Sequence, residues 1–431
     1  MSILSFRPLL GMGPADVLSR FNFGKCEGDL LAAVFCWQGS PLCCIEGNLR
    51  LRSCTVEGCP RQEVYTGLNQ KVLMSRSNAL WVFLLALCVA TAYVSSCKKS
   101  PTETNGPALG KRDYLWSIDS VDYGNLPSVI QLGSIWGSSA TDVWGAAGDA
   151  PDVRDCLWHY NGMRWDRATA GTPIVENTGN KTVYSVWGSS RNDVWSVGRR
   201  ISQGILSAFI MHFDGTRWTD ATPTNVSAIM GHLYTLYGIS RDDIWAFGYE
   251  YALHFNGTQW TMYKVGDSLI VASISGNGRF IYATSYSPWG RNIQFVYRFV
   301  GSAFDLIDST TYAERKFGLY LWAQESKLVS FLNGVVTANI RPDGGIETNS
   351  WSREFTTLTP FVYPFVQGSS NAFAVGQQNL IYHYNGGNWS PISIMVPGHT
   401  VSPDASFSGV WADGREVFVC DIDHGIVYHG R

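Results

Sequence analysis

Four histidines recur at one position of a repeated segment, and their chemistry is the first to consider. His159, His212, His254 and His383 each precede an aromatic residue and an Asn-Gly or Asp-Gly pair. Histidines can hold a metal ion or move protons near neutral pH. Each of the four belongs to a different repeat, however, so a shared ligand would need widely separated units to converge. We predict that they are structural, and we expect no metal and no cofactor.

A second chemically capable group is Asp421, Asp423 and His424. Aspartates two apart on an extended segment face the same way, and the histidine could act as a base or ligand. Such carboxylates could also hold Ca²⁺. The spacing matches neither an EF-hand nor H-E-x-x-H, and the chain has no Gly-rich phosphate loop or basic stripe. The sequence therefore gives no catalytic signature, and we expect no nucleic-acid partner.

An internal repeat defines the elements that must position these residues. SIWGSSATDVWG at 134–145 recurs as SVWGSSRNDVWS at 185–196, LYGISRDDIWA at 236–246 and QGSSNAFAVG at 367–376. Each copy is followed by a histidine-containing aromatic run, an Asn-Gly or Asp-Gly pair and a tryptophan. Degenerate copies begin near 275 and 320, and a last copy begins near 411. The chain therefore holds seven units of roughly 40 to 50 residues, a length typical of propeller blades.

Each unit is predicted to form four antiparallel strands. Its Trp, Val, Ile, Tyr and Phe runs suit pleated, half-buried surfaces, and its Asn-Gly or Asp-Gly pairs predict type I′ hairpin turns. We predict an all-β, seven-bladed β-propeller with four-stranded antiparallel blades. Residues 114–119 would supply the fourth strand of the last blade, which otherwise stops at Arg431. Eight blades or an open array are the alternatives.

A targeting segment precedes the repeats. Residues 74–78 carry one positive charge, residues 79–94 are uncharged and apolar, and small residues lead to Cys97. This pattern is that of a secretory signal, and the apolar run is short for a transmembrane helix. Val94-Ser95-Ser96-Cys97 resembles the bacterial lipobox, which implies acylation of Cys97. An ordinary signal peptide or a short anchor is the alternative.

The domain boundaries follow from this segment. Residues 74–97 are a lipoprotein-type signal peptide, residues 98–110 a flexible tether, and residues 111–431 the propeller. Residues 1–73 remain unassigned. They are interpreted as the product of a misplaced start codon, with a small disulfide or metal module as the competing interpretation.

The repeat resembles those of secreted bacterial propeller lipoproteins with tandem WGSSxxDVWAVG…HYDGxxW units, over about residues 114–431. The resemblance implies the architecture, and with the lipobox it implies a lipid anchor in the bacterial cell envelope, facing the periplasm or exterior. It implies no activity. The repeat departs from WD40, kelch and sialidase motifs, so the chemistry of those families is not transferred.

The predicted strand order gives every connection a side. Turns between strands one and two, and between strands three and four, are short and lie on one face, here called the turn face. Connections between strands two and three, and between blades, lie on the opposite loop face, where they are long and variable. Residues 199–207 and 344–360 are predicted loops of these two kinds. Loops on a rigid scaffold carry binding residues. The candidate ligand-binding residues of the loop face are Asp152, Arg154, Arg200, Tyr249, Trp289, Arg291, Asp421, Asp423 and His424.

Composition limits the partners. The chain is 13% aromatic and 16% charged with a formal net charge of −3, which offers no general attraction to nucleic acid or anionic membrane. We interpret the protein as a monomeric binding or scaffold module for a glycan, peptide or partner protein, which contacts the membrane only through its lipid. The alternative is a polysaccharide hydrolase or lyase. Paired acids at the mouth of the central channel would favour the enzyme, and an aromatic patch would favour binding.

Two cysteines, Cys156 and Cys420, lie in predicted neighbouring blades, blades 1 and 7. A disulfide between them would join the two ends of the ring. Packed blades are often too far apart for such a bond, so free buried thiols are the preferred expectation.

Overall fold

The computed structural model describes residues 43–46, 50–53, 110–119, 131–148, 156–168, 180–227, 231–288, 292–367 and 370–431. The chain divides into two units, Met1–Thr102 and Glu103–Arg431. In the first, Cys43–Glu46 pairs with Arg50–Ser53 as an antiparallel hairpin. The predicted signal peptide, with Cys97, lies outside the described residues, as does most of the predicted tether. In the part of the chain that is described, no helix is long and apolar enough to cross a membrane.

In its described residues, the second unit consists of seven four-stranded antiparallel sheets, the blades, plus one helical turn at Thr224–Ser227. Blade 1 comprises Ser134–Ser139, Asp142–Ala146, Leu157–Tyr160 and Trp165–Arg167. Blade 2 comprises Asn180–Ser190, Asp193–Ser202, Ile205–Phe213 and Trp218–Asp220. Blade 3 comprises Leu233–Ser240, Asp243–Gly248, Tyr251–Phe255 and Trp260–Lys264.

The degenerate repeats also form complete blades. Blade 4 comprises Ile270–Gly276, Ile281–Tyr286, Ile293–Val300 and Ala303–Thr311. Blade 5 comprises Tyr320–Ala323, Lys327–Leu332, Gly334–Asn339 and Ser352–Phe355. Blade 6 comprises Phe361–Gln367, Asn371–Gly376, Ile381–Tyr384 and Trp389–Pro391. First strands of successive blades lie side by side around a central channel.

The ring closes in blade 7, as predicted. This blade comprises Phe407–Ala412, Val417–Asp421, Ile426–Gly430 and, as its fourth strand, Trp116–Asp119 from the start of the domain. Trp116 pairs with Gly430, and the backbones of Leu115 and Arg431 exchange two hydrogen bonds of 3.0 Å. The first strands of blades 7 and 1 are also neighbours. The prediction of a closed seven-bladed propeller is confirmed.

The repeated Trp-Gly pair is explained by packing between blades. Hydrophobic clusters fill the spaces between adjacent blades. The ring of Trp136 in blade 1 covers Gly188 in blade 2, and a Cβ at Gly188 would come within 2.6 Å of that ring. Trp187 covers Gly238 of blade 3 in the same way, and Trp411 of blade 7 covers Gly137. Glycine is therefore required because the preceding blade's ring occupies the space of a side chain.

The Asn-Gly and Asp-Gly turns differ from the predicted type I′ geometry. In blade 1, Tyr160 pairs with Trp165 across a four-residue loop in which Gly162, at φ 92°, has the left-handed conformation. The Asn161 side chain accepts hydrogen bonds from the backbone N–H groups of Met163 and Arg164. This side-chain capping stabilises the loop, so asparagine itself does not need a positive φ.

Two predicted loops contain strands. Residues 199–207 continue the blade 2 hairpin, because Gln203 and Gly204 have positive φ values of 52° and 78° and form a tight turn. The predicted inter-blade loop 344–360 contains Ser352–Phe355, the fourth strand of blade 5. Trp351 directly precedes this strand, but a long connection replaces the short Asn-Gly or Asp-Gly loop found before the fourth strands of blades 1, 2, 3 and 6. One long connection, residues 340–351, consequently lies on the turn face, which was expected to have only short turns.

Candidate functional site

The recurring histidines are held inside their blades. His159 Nε2 lies 2.6 Å from Asp142 Oδ1, and the imidazole stacks on Trp144 with ring centroids 4.2 Å apart. Burial raises the pKa of Asp142, but hydrogen bonds with His159 and Ser138 outweigh it and leave that pKa lowered. Equivalent histidine contacts are His212 with Asp193, His254 with Asp243 and His383 with Asn371. Each histidine stacks on an aromatic ring of its own blade and hydrogen-bonds the first side chain of strand two, which confirms the structural interpretation.

Asp421 and Asp423 do not converge as an acid pair. The strand ends at Asp421 and the chain turns, so the expectation of an extended segment is wrong here. Buried Asp421 accepts hydrogen bonds through Oδ1 from the N–H groups of Asp423 and His424, and its Oδ2 lies 2.9 Å from His424 Nδ1. Burial raises the pKa of Asp421 despite the nearby His424. Asp423 is exposed. Asp421 therefore shapes the loop that presents Asp423 and His424.

The other predicted site residues are not gathered into one cluster. Arg200 lies in a strand and forms an ion pair of 2.7 Å with Asp220. Tyr249 is half-buried in the connection between strands two and three of blade 3, and its backbone forms an isolated antiparallel β-bridge with Ile270. Next to it, Glu250 accepts a hydrogen bond from the Ser268 N–H. Asp152, Arg154, Trp289 and Arg291 lie outside the described residues.

Cys156 and Cys420 are buried thiols that form no disulfide with each other, as expected. Cys156 packs in the cluster between blades 1 and 2, and Cys420 packs in the cluster between blades 7 and 1. Burial, and secondarily the charge of Asp421, raises the pKa of the Cys420 thiol. The two ends of the ring are therefore joined without a disulfide.

Tyrosines not selected from the sequence line the loop-face mouth of the central channel. Each first strand runs from the loop face to the turn face, and Tyr184, Tyr234, Tyr320 and Tyr363 lie in the early part of their first strands. Tyr286 ends the second strand of blade 4 and reaches the same face. These five residues, here called the tyrosine arc, come from blades 2 to 6.

The members of the tyrosine arc are close neighbours. The ring centroids of Tyr184 and Tyr234 are 5.9 Å apart, and those of Tyr320 and Tyr363 are 5.5 Å apart. His232 stacks on Tyr234 at 5.4 Å with an interplanar angle of 6°. Tyr286 joins the two pairs, because it lies close enough for Tyr234 to raise its pKa and for it to raise the pKa of Tyr320.

The arc is surrounded by protein yet accessible to solvent. Desolvation raises the pKa of Tyr286, Tyr320 and Tyr363, so all three are neutral phenols at ordinary pH. Tyr363 nevertheless exposes 36% of its surface. A ring that is desolvated by its neighbours and still reachable by water lies in a narrow opening, which is where a ligand can be enclosed.

The opposite side of the mouth is lined by small residues. Gly133 of blade 1 is equivalent to Tyr184 and Tyr234, because each immediately precedes the residue that pairs with the fifth residue of strand two. That partner is Ala146, Val197 or Phe247. Among the described residues, a Cβ built at Gly133 meets no atom within 4 Å. Blade 7 contributes Gly409, in register with Cys420. In the part of the chain that the structure describes, the tyrosines of the mouth thus form a crescent that faces small residues.

Three backbone amides of first strands near the mouth are already hydrogen-bonded by serine hydroxyls. Ser134 Oγ in blade 1 accepts a hydrogen bond from the Val186 N–H in blade 2. Ser185 Oγ does the same for the Leu236 N–H of blade 3, and Ser273 Oγ for the Leu321 N–H of blade 5. These serines join the first strands of neighbouring blades and occupy the amide groups that an added β-strand would need.

The tyrosine arc was missed because single residues carry it. The repeat motif marks the Trp-Gly pair, whereas the arc lies upstream of it at a position that varies from Gly133 to Tyr184, Tyr234 and Ala272. Variation against a constant repeat was the available signal.

A second loop-face cavity, of about 570 Å³, lies between blades 6 and 7 and is lined by Asn379, residues 393–397, residues 399–401 and Phe407.

The fold places the chain in the class of seven-bladed β-propellers. No protein-family model and no curated protein sequence matches it. Among solved structures it is similar to YCF48 bound to D1 peptide, with 14% identity and a TM-score of 0.52 over 76% of this chain and 99% of that chain. It is also similar to YCF48 from Cyanidioschyzon merolae, with 13% identity and a TM-score of 0.52 over 74% and 99%. At these identities the likeness concerns the fold alone.

Proposed function

We propose that this protein is a lipid-anchored, extracytoplasmic binding module that holds a glycan, peptide or partner protein at the loop-face mouth of its channel. The tyrosine arc carries the proposal. Tyrosine offers a large rigid contact surface and a hydroxyl group at low entropic cost. Five such residues converge from five blades on one accessible opening.

The balance between aromatic and acidic residues favours binding over hydrolysis. Polysaccharide cleavage typically needs two carboxyl groups facing one bond. Asp421 and Asp423 were the strongest acid pair in the sequence, and the turn separates them into a buried cap and an exposed side chain. Structures of the same fold class add a precedent, since YCF48 was solved with a bound D1 peptide.

The anchor and location rest on residues 74–97. The lipobox-like Val94-Ser95-Ser96-Cys97 and the resemblance to propeller lipoproteins support acylation of Cys97 and display on the periplasmic or outer side of a bacterial membrane. The intact mass of the protein isolated from membranes tests this. We expect a chain that starts at Cys97 and carries lipid, and a C97S variant should leave the membrane fraction. A full-length chain that retains residues 1–73 would overturn the proposal.

Binding at the mouth can be tested with residues 98–431 on defined glycan and peptide arrays. We expect at least one array ligand to be lost when Tyr234 and Tyr363 are replaced by alanine. Met163→Ala is the matched control, because Met163 is 84% exposed on the turn face. Ligands that survive the tyrosine changes, or that are lost with Met163→Ala, would show that the mouth is not the binding site.

A further inference from the structure

The loop-face mouth has properties that select among ligand classes, and this inference rests on the proposed function. Among the described residues, other tyrosines are the only groups whose charge affects the pKa of Tyr286 and Tyr320, and burial alone affects that of Tyr363. The guanidinium of Arg199 lies over the ring of Tyr184, at the other end of the arc. The blade 4 to 6 part of the arc is therefore an uncharged surface.

An uncharged aromatic surface disfavours charged ligands. Ions that enter a desolvated opening without a counter-charge lose their hydration and gain little in return. A cation could use the ring faces, but no carboxylate of the described residues influences the pKa of Tyr320 or Tyr363 and could neutralise it. The preferred ligand is thus neutral.

The satisfied backbone disfavours an extended peptide. Peptides commonly bind β-proteins by adding a strand to a free sheet edge. At the mouth, the serine hydroxyls of the preceding blades already accept hydrogen bonds from Val186, Leu236 and Leu321 N–H groups. An added strand would find these three amides occupied, which favours a ligand that uses the ring faces and phenol hydroxyls.

Sugar rings match this surface. A neutral pyranose has an apolar C–H face that stacks on the electron-rich face of an aromatic ring, and hydroxyls that exchange hydrogen bonds with phenols. The open space at Gly133, opposite the arc, provides room for the ring. We propose that the tyrosine arc binds a neutral glycan, with one sugar unit inserted between Tyr320 and Tyr363 on one side and Gly133 on the other.

The test is calorimetric titration of residues 98–431 with neutral pentasaccharides of glucose, mannose, xylose and N-acetylglucosamine, and with oligogalacturonate and heparin tetrasaccharide as charged probes. We expect a neutral pentasaccharide to bind. Tyr363→Ala should weaken its binding at least tenfold, and Tyr363→Phe should retain most of the affinity because the stacking face remains.

Gly133 provides a test without loss of an aromatic ring. Gly133→Trp should fill the open space and abolish binding, whereas Gly133→Ala should bind as the wild type does. Equal melting temperatures of these variants verify folding.

Three outcomes decide the proposal. Binding of a neutral pentasaccharide that depends on Tyr363 and is blocked by Gly133→Trp supports it. Binding only of charged sugars, or only of array peptides, with the same dependence overturns the neutral-glycan proposal and leaves the proposed function standing. Absence of any ligand that depends on these residues overturns both.

Discussion

At the scale of single residues, blade 6 differs from its neighbours at one position. Asn371 occupies the place held by Asp142 and Asp193, so the buried His383 has an amide and not a carboxylate at 2.6 Å. Burial, and then the charge of Arg112, lowers the pKa of His383 to about 4 from the usual 6.5. The imidazole is therefore neutral in the folded protein at pH 5, whereas it is protonated in the unfolded chain.

This difference predicts a pH dependence of stability. Between pH 6.5 and 4 the unfolded state binds more protons, so the free energy of unfolding falls as the pH falls, by about 2 kcal/mol from pH 7 to pH 5 for this group. Asn371→Asp should raise the pKa of His383 and reduce that loss. Urea unfolding at pH 7 and pH 5 measures it, with Asn371→Ser as control. An unchanged pH dependence in Asn371→Asp would contradict the assignment to His383.

The Trp-Gly packing gives a second prediction at this scale. A Cβ at Gly188 would lie 2.6 Å from the Trp136 ring and 2.7 Å from the Asp193 carbonyl oxygen, and the backbone cannot yield easily. Gly188→Ala should destabilise the fold by about 1–3 kcal/mol, as over-packed cores do. Gly133→Ala is the matched control because nothing lies within 4 Å of its Cβ. Equal unfolding midpoints in urea would show that the ring moves aside.

At the scale of elements, the closing strand is held by more than backbone pairing. His429, 1% exposed, lies between Asp119 Oδ2 at 3.0 Å and Glu416 Oε2 at 2.6 Å. Arg431 approaches both carboxylates at 3.7 Å. The imidazole also stacks on Phe418 with centroids 3.8 Å apart. This network ties the N-terminal strand to the second and third strands of blade 7.

Deletion of residues 111–119 should therefore open blade 7. It exposes the edge of Ile426–Gly430 and leaves His429 without Asp119, so we expect aggregation or a large fall in melting temperature. A truncation that begins at Lys111 is the control, since it keeps the strand. Light scattering during a thermal melt distinguishes the two proteins. A deletion that melts like the control would remove residues 114–119 from the ring.

Repetition determined how many elements could be predicted. Every blade, including the degenerate blades 4 and 5, was found because hydrophobic runs and Gly-containing turns recur in order. Ser352–Phe355 was missed because a long connection, and not an Asn-Gly or Asp-Gly loop, precedes it. The tyrosine arc was missed because bulges such as that between Val183 and Ser185 decide which residue faces the channel. Variation against the constant repeat marks such positions but does not give their orientation. Sequence periodicity does not report such irregularities.

At the scale of the whole molecule, the mouth exists only when the ring is closed. Tyr184 and Tyr363 come from blades 2 and 6, and Gly133 faces them from blade 1. No single blade holds a binding surface. Because no disulfide joins Cys156 to Cys420, closure depends on strand pairing in blade 7 and on packing between blades. The manner of closure should therefore control both stability and binding.

Circular permutation separates these two contributions. When a Gly/Ser linker of about ten residues joins Arg431 to Gly110, the new chain ends can be placed at any chosen loop of the ring. A break between Gly257 and Thr258 lies in the turn before the fourth strand of blade 3, so blade 3 becomes the shared blade. A break between Asp267 and Ser268 lies between blades 3 and 4, so closure depends on packing alone.

Both permutants retain every blade residue, and each loses the contacts of one turn. They therefore differ only in where the ring is interrupted, and their melting temperatures can be compared directly. Opening the ring of the permutant that begins after Gly257 breaks strand hydrogen bonds and the core of blade 3. Opening the ring of the permutant that begins after Asp267 only separates the interface between blades 3 and 4. We expect the Gly257 permutant to melt close to the parent and the Asp267 permutant several degrees lower, with weaker binding at the mouth. Equal melting temperatures would mean that inter-blade packing alone closes the ring, and that the shared blade contributes no measurable stability.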